Sequence, residues 1–134
     1  MKIITLFAIL ALTGIDVSGQ NLIGYSDKDI KKYMRENRRD MNFNNVVNSK
    51  FHYLKYSDNA GKQTLLFFLN HDSVCTSVRM ICDVSLKEEK VKEFDSIYKK
   101  SGKNRWINER DGKDYLVEIM DEKWSCVISI EPYK

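Results

Sequence analysis

The stretch Arg105-Trp106-Ile107-Asn108-Glu109-Arg110-Asp111-Gly112-Lys113-Asp114-Tyr115-Leu116-Val117-Glu118-Ile119-Met120 decides the fold class. Asp-Gly between two alternating runs is a strong type I′ hairpin signal, because both central residues of that turn take positive φ. A two-residue turn there sets Trp106 opposite Val117. Glu122-Lys123 then leads into a further strand-like run at 124–130. A two-residue turn at that point sets Ile119 opposite Cys126, Val117 opposite Ile128 and Tyr115 opposite Ile130. Both turns build the same apolar face from Trp106, Tyr115, Val117, Ile119, Cys126, Ile128 and Ile130. Agreement between separate local signals supports an antiparallel sheet.

The same grammar extends upstream. Ser85-Leu86-Lys87-Glu88 reads as a capping box with Ser85 as cap. Val91, Phe94, Ile97 and Tyr98 follow at helical spacing, and Gly102 is the expected stop. Before that box come three strand-like runs, 51–56, 64–69 and 74–82, separated by Asp58-Asn59-Ala60-Gly61 and by His71-Asp72. A tight turn at His71-Asp72 sets Leu69 opposite Val74, Phe67 opposite Thr76 and Leu65 opposite Val78, on one face with Met80 and Cys82. Cys75 then falls on the other face, with Leu66, Phe68 and Ile81. An earlier helix opens at Ser26, with Asp27 and Asp29 in its first turn and Tyr25 and Ile30 as a hydrophobic staple. Ile30, Tyr33 and Met34 continue its apolar stripe, and the Asn-rich run 42–48 ends it in a loop. The expectation is an α+β fold: a tandem αβββ-αβββ repeat with halves 22–83 and 84–134. Its six strands form one antiparallel β-sheet, with two helices packed on one face.

The chain opens with Met1-Lys2, an apolar run at 3–12, then Asp16 and Val17-Ser18-Gly19. Positive, apolar and small-residue segments in that order form a secretion signal peptide, 1–19, leaving a single domain at 20–134. The run is shorter than the roughly 20 residues a membrane span takes. No second such run follows, so the mature chain carries no transmembrane segment. A periplasmic or secreted location is expected. The signal contains one basic and one acidic residue, Lys2 and Asp16, so the mature chain keeps the formal net charge of +3. That mild balance does not call for nucleic acid.

Three cysteines remain, Cys75, Cys82 and Cys126. An exported chain meets conditions that permit disulfides, and an odd count leaves one thiol over. Seven residues of strand separate Cys75 from Cys82, about 23 Å at ~3.3 Å each, beyond the roughly 7 Å limit between bridged Cα atoms. Any internal bridge therefore joins Cys126 to Cys75 or to Cys82. Three buried thiols acting as small hydrophobes is the competing reading.

Ile23-Gly24-Tyr25-Ser26-Asp27-Lys28-Asp29-Ile30 resembles the Gly-x-Ser-x-x-x-Val opening of β-lactamase-inhibitor-protein-like and outer-membrane-assembly-lipoprotein-like repeat domains. The chain departs from the assembly lipoproteins in lacking their lipid-attachment cysteine and the Gly-x-Pro that follows their first helix. Over its whole length it looks more like a group of small exported bacterial proteins of unknown function. The shared segments are Asn21-Leu22-Ile23-Gly24, Thr64-Leu65-Leu66-Phe67-Phe68-Leu69 and Cys75-Thr76-Ser77-Val78-Arg79. The resemblance implies export and a common fold, and supplies no activity.

Each candidate site has a plainer reading. His71-Asp72-Ser73 holds hydrolytic residue types, but neighbours in a turn point apart, and turn chemistry explains Asp72 and Ser73. Cys75 with His52 or His71 is the one conceivable thiol–base pair. Glu109, Asp111, Asp114 and Glu118 cluster at a hairpin with no defined carboxylate spacing. No metal-ligand spacing and no cofactor motif appears, so no catalytic residue, metal or cofactor is assigned. Lys28, Lys31, Lys32, Arg35 and Arg39 share one side of the first helix and suit an anionic surface, although a solvated helix face has the same pattern. Tyr53, Tyr56, Phe68, Trp106, Trp124 and Tyr133 could furnish an aromatic binding surface, although most are more simply core, and Trp124, beside a turn, is the one singled out for contact with a partner. The reading is an exported, non-enzymatic binding or interaction module whose partner is an envelope or secreted protein or an anionic surface. A small extracytoplasmic hydrolase or thiol enzyme and a structural envelope subunit are the alternatives.

Overall fold

A computed structural model describes residues 21–44 and 52–133. The expected signal, the residue-20 domain start, Phe51 and positions 45–48 of the Asn-rich run lie outside the described residues.

The first helix, α1 (Asp27–Asn37), begins where the sequence places it. The Ser26 hydroxyl accepts from the Asp29 N–H at 3.2 Å, and Asp27 and Asp29 face the positive end of the helix dipole. Ile30 and Met34, one turn apart, are buried. The chain then forms β1 (Met41–Asn44), β2 (Tyr53–Asp58), β3 (Gln63–Leu69) and β4 (Cys75–Asp83). A 3-10 turn (Val84–Leu86) leads into α2 (Lys87–Ile97). Four more strands follow: β5 (Lys99–Gly102), β6 (Arg105–Arg110), β7 (Lys113–Asp121) and β8 (Ser125–Pro132).

Among the described residues, eight strands join in one sheet of order β1-β2-β3-β4-β8-β7-β6-β5, and every pairing is antiparallel. The last strands of the two four-strand runs meet at the centre. One row of register partners crosses most of the sheet: Leu54, Phe67, Val78, Ile130, Val117 and Trp106. The next row on that face is Tyr56, Leu65, Met80, Ile128 and Ile119. Every member of both rows is buried, in one cluster with Ile30 and Met34 of α1 and Phe94 of α2. Burying side chains of this size contributes about 1.5–3 kcal/mol each, which makes this face the main source of cohesion.

Several expectations are corrected. The sheet has eight strands where six were expected. β1 occupies part of the Asn-rich run read as loop, and β5 lies where α2 was expected to continue to Gly102. Both are four-residue edge strands, and an edge strand does not need the apolar alternation that marks an inner one. Ser85 is not the second helix's cap. Asp83 accepts from the Ser85 N–H at 2.9 Å and caps the 3-10 turn, and α2 starts two residues after Ser85.

The Asp111-Gly112 turn forms as read, with φ of 53° and 76° and Arg110 opposite Lys113. The other two turns are longer than two residues. Leu69 pairs with Cys75, and Asp121 pairs with Cys126. Ile119 therefore faces Ile128, and Val117 faces Ile130. Phe67 faces Val78, and Leu65 faces Met80. Each of these registers differs from expectation by two residues, so every side chain keeps its face. Cys75 and Thr76 are the exceptions. An irregularity between Phe68 and Leu69 turns Cys75 onto the covered face, where it is buried, and leaves Thr76 exposed.

Candidate functional site

The first helix carries Lys31 and Arg35 one turn apart, and Arg38 at its C-cap and Arg39 in the turn just beyond it continue the same side of the chain. β1 runs beside these cations, and its Phe43 is the register partner of Tyr56 on β2. Their rings stand 5.4 Å apart at 55°. The four cations, Met34, Met41, Phe43 and Tyr56 line a cleft of about 360 Å³. Met34, Met41 and Tyr56 are buried and form its apolar floor, while Phe43 is a half-exposed wall.

The cations are not equivalent. Arg38 is committed to Asp40, donating from Nε and from Nη2 to the two carboxylate oxygens at 3.1 Å each. That fork holds the Asp40 carboxyl below its usual range. The Lys31 ammonium lies 5.3 Å from the Phe43 ring centroid, a cation–π contact. Among the described residues, no salt bridge engages Lys31, Arg35 or Arg39. Burial pushes the Tyr56 hydroxyl's pKa up, and the charge of Arg35 pulls the other way, so the field of Arg35 reaches the floor. The arrangement offers positive charge at the rim over an apolar bed, a geometry that holds an anionic head and covers an apolar body.

Of the residues singled out by sequence, Lys31, Arg35 and Arg39 line this cleft. Lys28 and Lys32 are exposed on α1 and do not. Trp124 is 76% exposed in the β7–β8 loop, with the Lys123 ammonium 5.5 Å from its ring centroid. It stands apart from a cleft built on β1 and β2. Nearby on the uncovered face, Ile81, Val127 and Met120 sit side by side in register, and Ile81 and Met120 are exposed. Tyr56, one of the candidate aromatics, lies on the cleft floor, and Met34, Arg38, Met41 and Phe43 complete the cleft outside the expected set. Phe43 within an Asn-rich run was the one sequence signal for its wall.

The other candidates have structural explanations. His71 and Asp72 are exposed in the β3–β4 turn, where Asn70 Oδ1 accepts from the Asp72 and Val74 N–H groups. Cys75 is buried and donates its thiol to the Ser77 carbonyl at 3.4 Å, and its pKa is pushed up to about 12 by burial. A thiol in that state is a poor nucleophile. Glu118 pairs with Arg105 at 3.2 Å. Among the described residues, no three His, Cys, Asp or Glu side chains gather to hold a metal, and no helix is long and apolar enough to cross a membrane. A larger hollow, about 610 Å³, is lined in part by Gly24, Cys75, Arg110 and Tyr115. Its central cation is already used. Arg110 donates to the Asn21 and Ile23 carbonyls and lies 4.9 Å over the Tyr115 ring, which clamps the segment 21–23 to the sheet.

No family model, no curated protein and no solved structure matches this chain.

Proposed function

We propose that the chain is an exported, non-enzymatic binding module that takes a single-chain amphiphilic anion in the cleft between α1 and the β1–β2 edge. One observation carries this reading: Lys31, Arg35 and Arg39 have no salt-bridge partner among the described residues, yet they converge with Arg38 over an apolar bed. Solvated surface cations need no such bed, and a purely apolar ligand needs no such rim. The cleft's volume is near the lower end of ligand pockets, ~300–1,000 Å³, which suits a fatty carboxylate or similar small amphiphile.

The scaffold fits this use. The order helix, four strands, helix, four strands supports two half-repeats, at 22–83 and 84–134, with both helices on the covered face. The structural-subunit alternative finds little support at the sheet edges. Both edge strands are four residues long, and β5 carries Lys99 and Lys100, features that discourage edge-to-edge pairing.

Calorimetric titration of the mature chain with decanoate and with decanol tests the reading. Decanoate should bind, more weakly as salt rises, and decanol should bind at least about tenfold more weakly, since one charge-assisted contact is worth ~1.5–3 kcal/mol. Equal affinities for acid and alcohol, or no binding of either, would reject it.

A further inference from the structure

We infer that Cys82 and Cys126 form a disulfide across the central strand pair, and that Cys75 stays a thiol. The two residues are direct register partners on β4 and β8. They are 1% and 0% exposed on the covered face. Side chains directly opposite in an antiparallel pair have Cβ atoms ~4.5–5.5 Å apart, and a bridge takes about 3.5–4.5 Å, so a small approach of the two strands brings the sulfurs into bonding geometry. Each thiol already feels the other: Cys126 is among the groups that raise the Cys82 pKa, after burial itself.

The same register excludes Cys75. The β4–β8 ladder runs from Asp83 opposite Ser125 to Val78 opposite Ile130. Cys126 sits near the first end, and Cys75 lies beyond the second. Seven residues of strand separate Cys75 from Cys82, the partner of Cys126, about 23 Å at ~3.3 Å each. One bridge and one thiol account for the odd cysteine count without a bond between chains.

The oxidant is a disulfide, either a small-molecule disulfide or a dithiol oxidase in its oxidised form. One cysteine thiolate attacks a sulfur of that disulfide and expels the other as thiolate, giving a mixed disulfide. The second cysteine thiolate attacks the chain's own sulfur in that mixed bond and expels the second oxidant thiolate. The two protons lost by Cys82 and Cys126 end on the oxidant's thiols, and two electrons move with them. Burial pushes the Cys82 thiol up to about 12, which leaves little thiolate in the finished sheet. The exchange therefore runs before β4 and β8 close, and the closed sheet then shields the bond from reductants. The bond closes a loop that contains α2 and β5 to β7 and fastens the first four strands to the last four.

The test uses the chain refolded in a mixed oxidised and reduced glutathione buffer, and in parallel the full chain carried through an export pathway. Each sample is denatured without reductant and alkylated. One label per chain is expected, three after reduction, and a linked peptide pair containing Cys82 and Cys126. Cys75→Ala should give no label and the same linked pair, and Cys82→Ala should give two labels. Three labels on refolded chain, or a bridge through Cys75 or between chains, would overturn the inference. One label after refolding but three in the cellular sample would leave the bond intact as chemistry and overturn its formation in the cell.

Discussion

Phe94 of α2 meets Trp106 of β6 nearly edge-on, with ring centroids 5.3 Å apart and planes at 70°. Both side chains are fully buried. The Trp106 indole N–H donates to Asp95 Oδ1 at 2.9 Å, so one indole is held by an apolar contact and by a charge-assisted hydrogen bond from the same helix. Trp106→Ala should cost about 3–5 kcal/mol of stability, since it opens a large cavity and removes the indole donor from the Asp95 carboxylate. Trp106→Phe should cost less, and Asp95→Asn least. Urea denaturation checks the order. A cost below about 1 kcal/mol for Trp106→Ala would contradict the packing.

The Arg110 guanidinium fastens the segment 21–23 onto the sheet through the Asn21 and Ile23 carbonyls. Arg110→Met keeps the apolar stem and removes the donors. The loss should be about 1.5–3 kcal/mol, the range for hydrogen bonds to a charged group. Amide exchange should also accelerate at Gly24 and Cys75, whose N–H groups bond to the Cys75 and Tyr25 carbonyls at 2.8 Å each. Unchanged protection at those two amides would show that the clamp does not hold the segment.

Burial pushes the Cys75 thiol and the Tyr98 hydroxyl up to about 12, against 9.0 and 10.0 for the free groups. In the unfolded chain each gives up its proton at lower pH than in the folded chain. Their contribution is therefore whole below about pH 9 and is lost as pH rises towards about 12. Within its window each group lowers stability by about 1.4 kcal/mol per pH unit. Denaturation curves between pH 8 and 10.5 should show this decline. Cys75→Ala should flatten it near pH 9–10, where Tyr98 has barely begun to contribute, and an unchanged slope there would contradict the assignment.

Much of the sheet was legible because turn chemistry and alternation are local. Asp111-Gly112 fixed its own hairpin, and the faces of β7 and β8 survived a register error because that error was even. β1 and β5 were hidden for a physical reason. An edge strand such as Lys99-Lys100-Ser101-Gly102 buries little, so it carries no apolar pattern to read. The cleft was half legible. Helical spacing put Lys31, Arg35 and Arg39 on one side, but it put Lys28 and Lys32 there as well. The neighbour that separates the two groups is β1, and its wall residue Phe43 and the β2 floor residue Tyr56 come from strands whose pairing no local signal encodes.

That separation supplies the most direct measurement. Decanoate affinity should be compared by calorimetry among the parent chain, Arg35→Glu/Arg39→Glu and Lys28→Glu/Lys32→Glu. The two double variants change the net charge of the chain equally, at α1 and the turn that follows it. The cleft account predicts a loss of at least about tenfold, roughly 1.4 kcal/mol, for the arginine pair and a change within about threefold for the lysine pair. Equal losses in both would mean that the helix attracts anions only by its overall charge, and the cleft would not be the site.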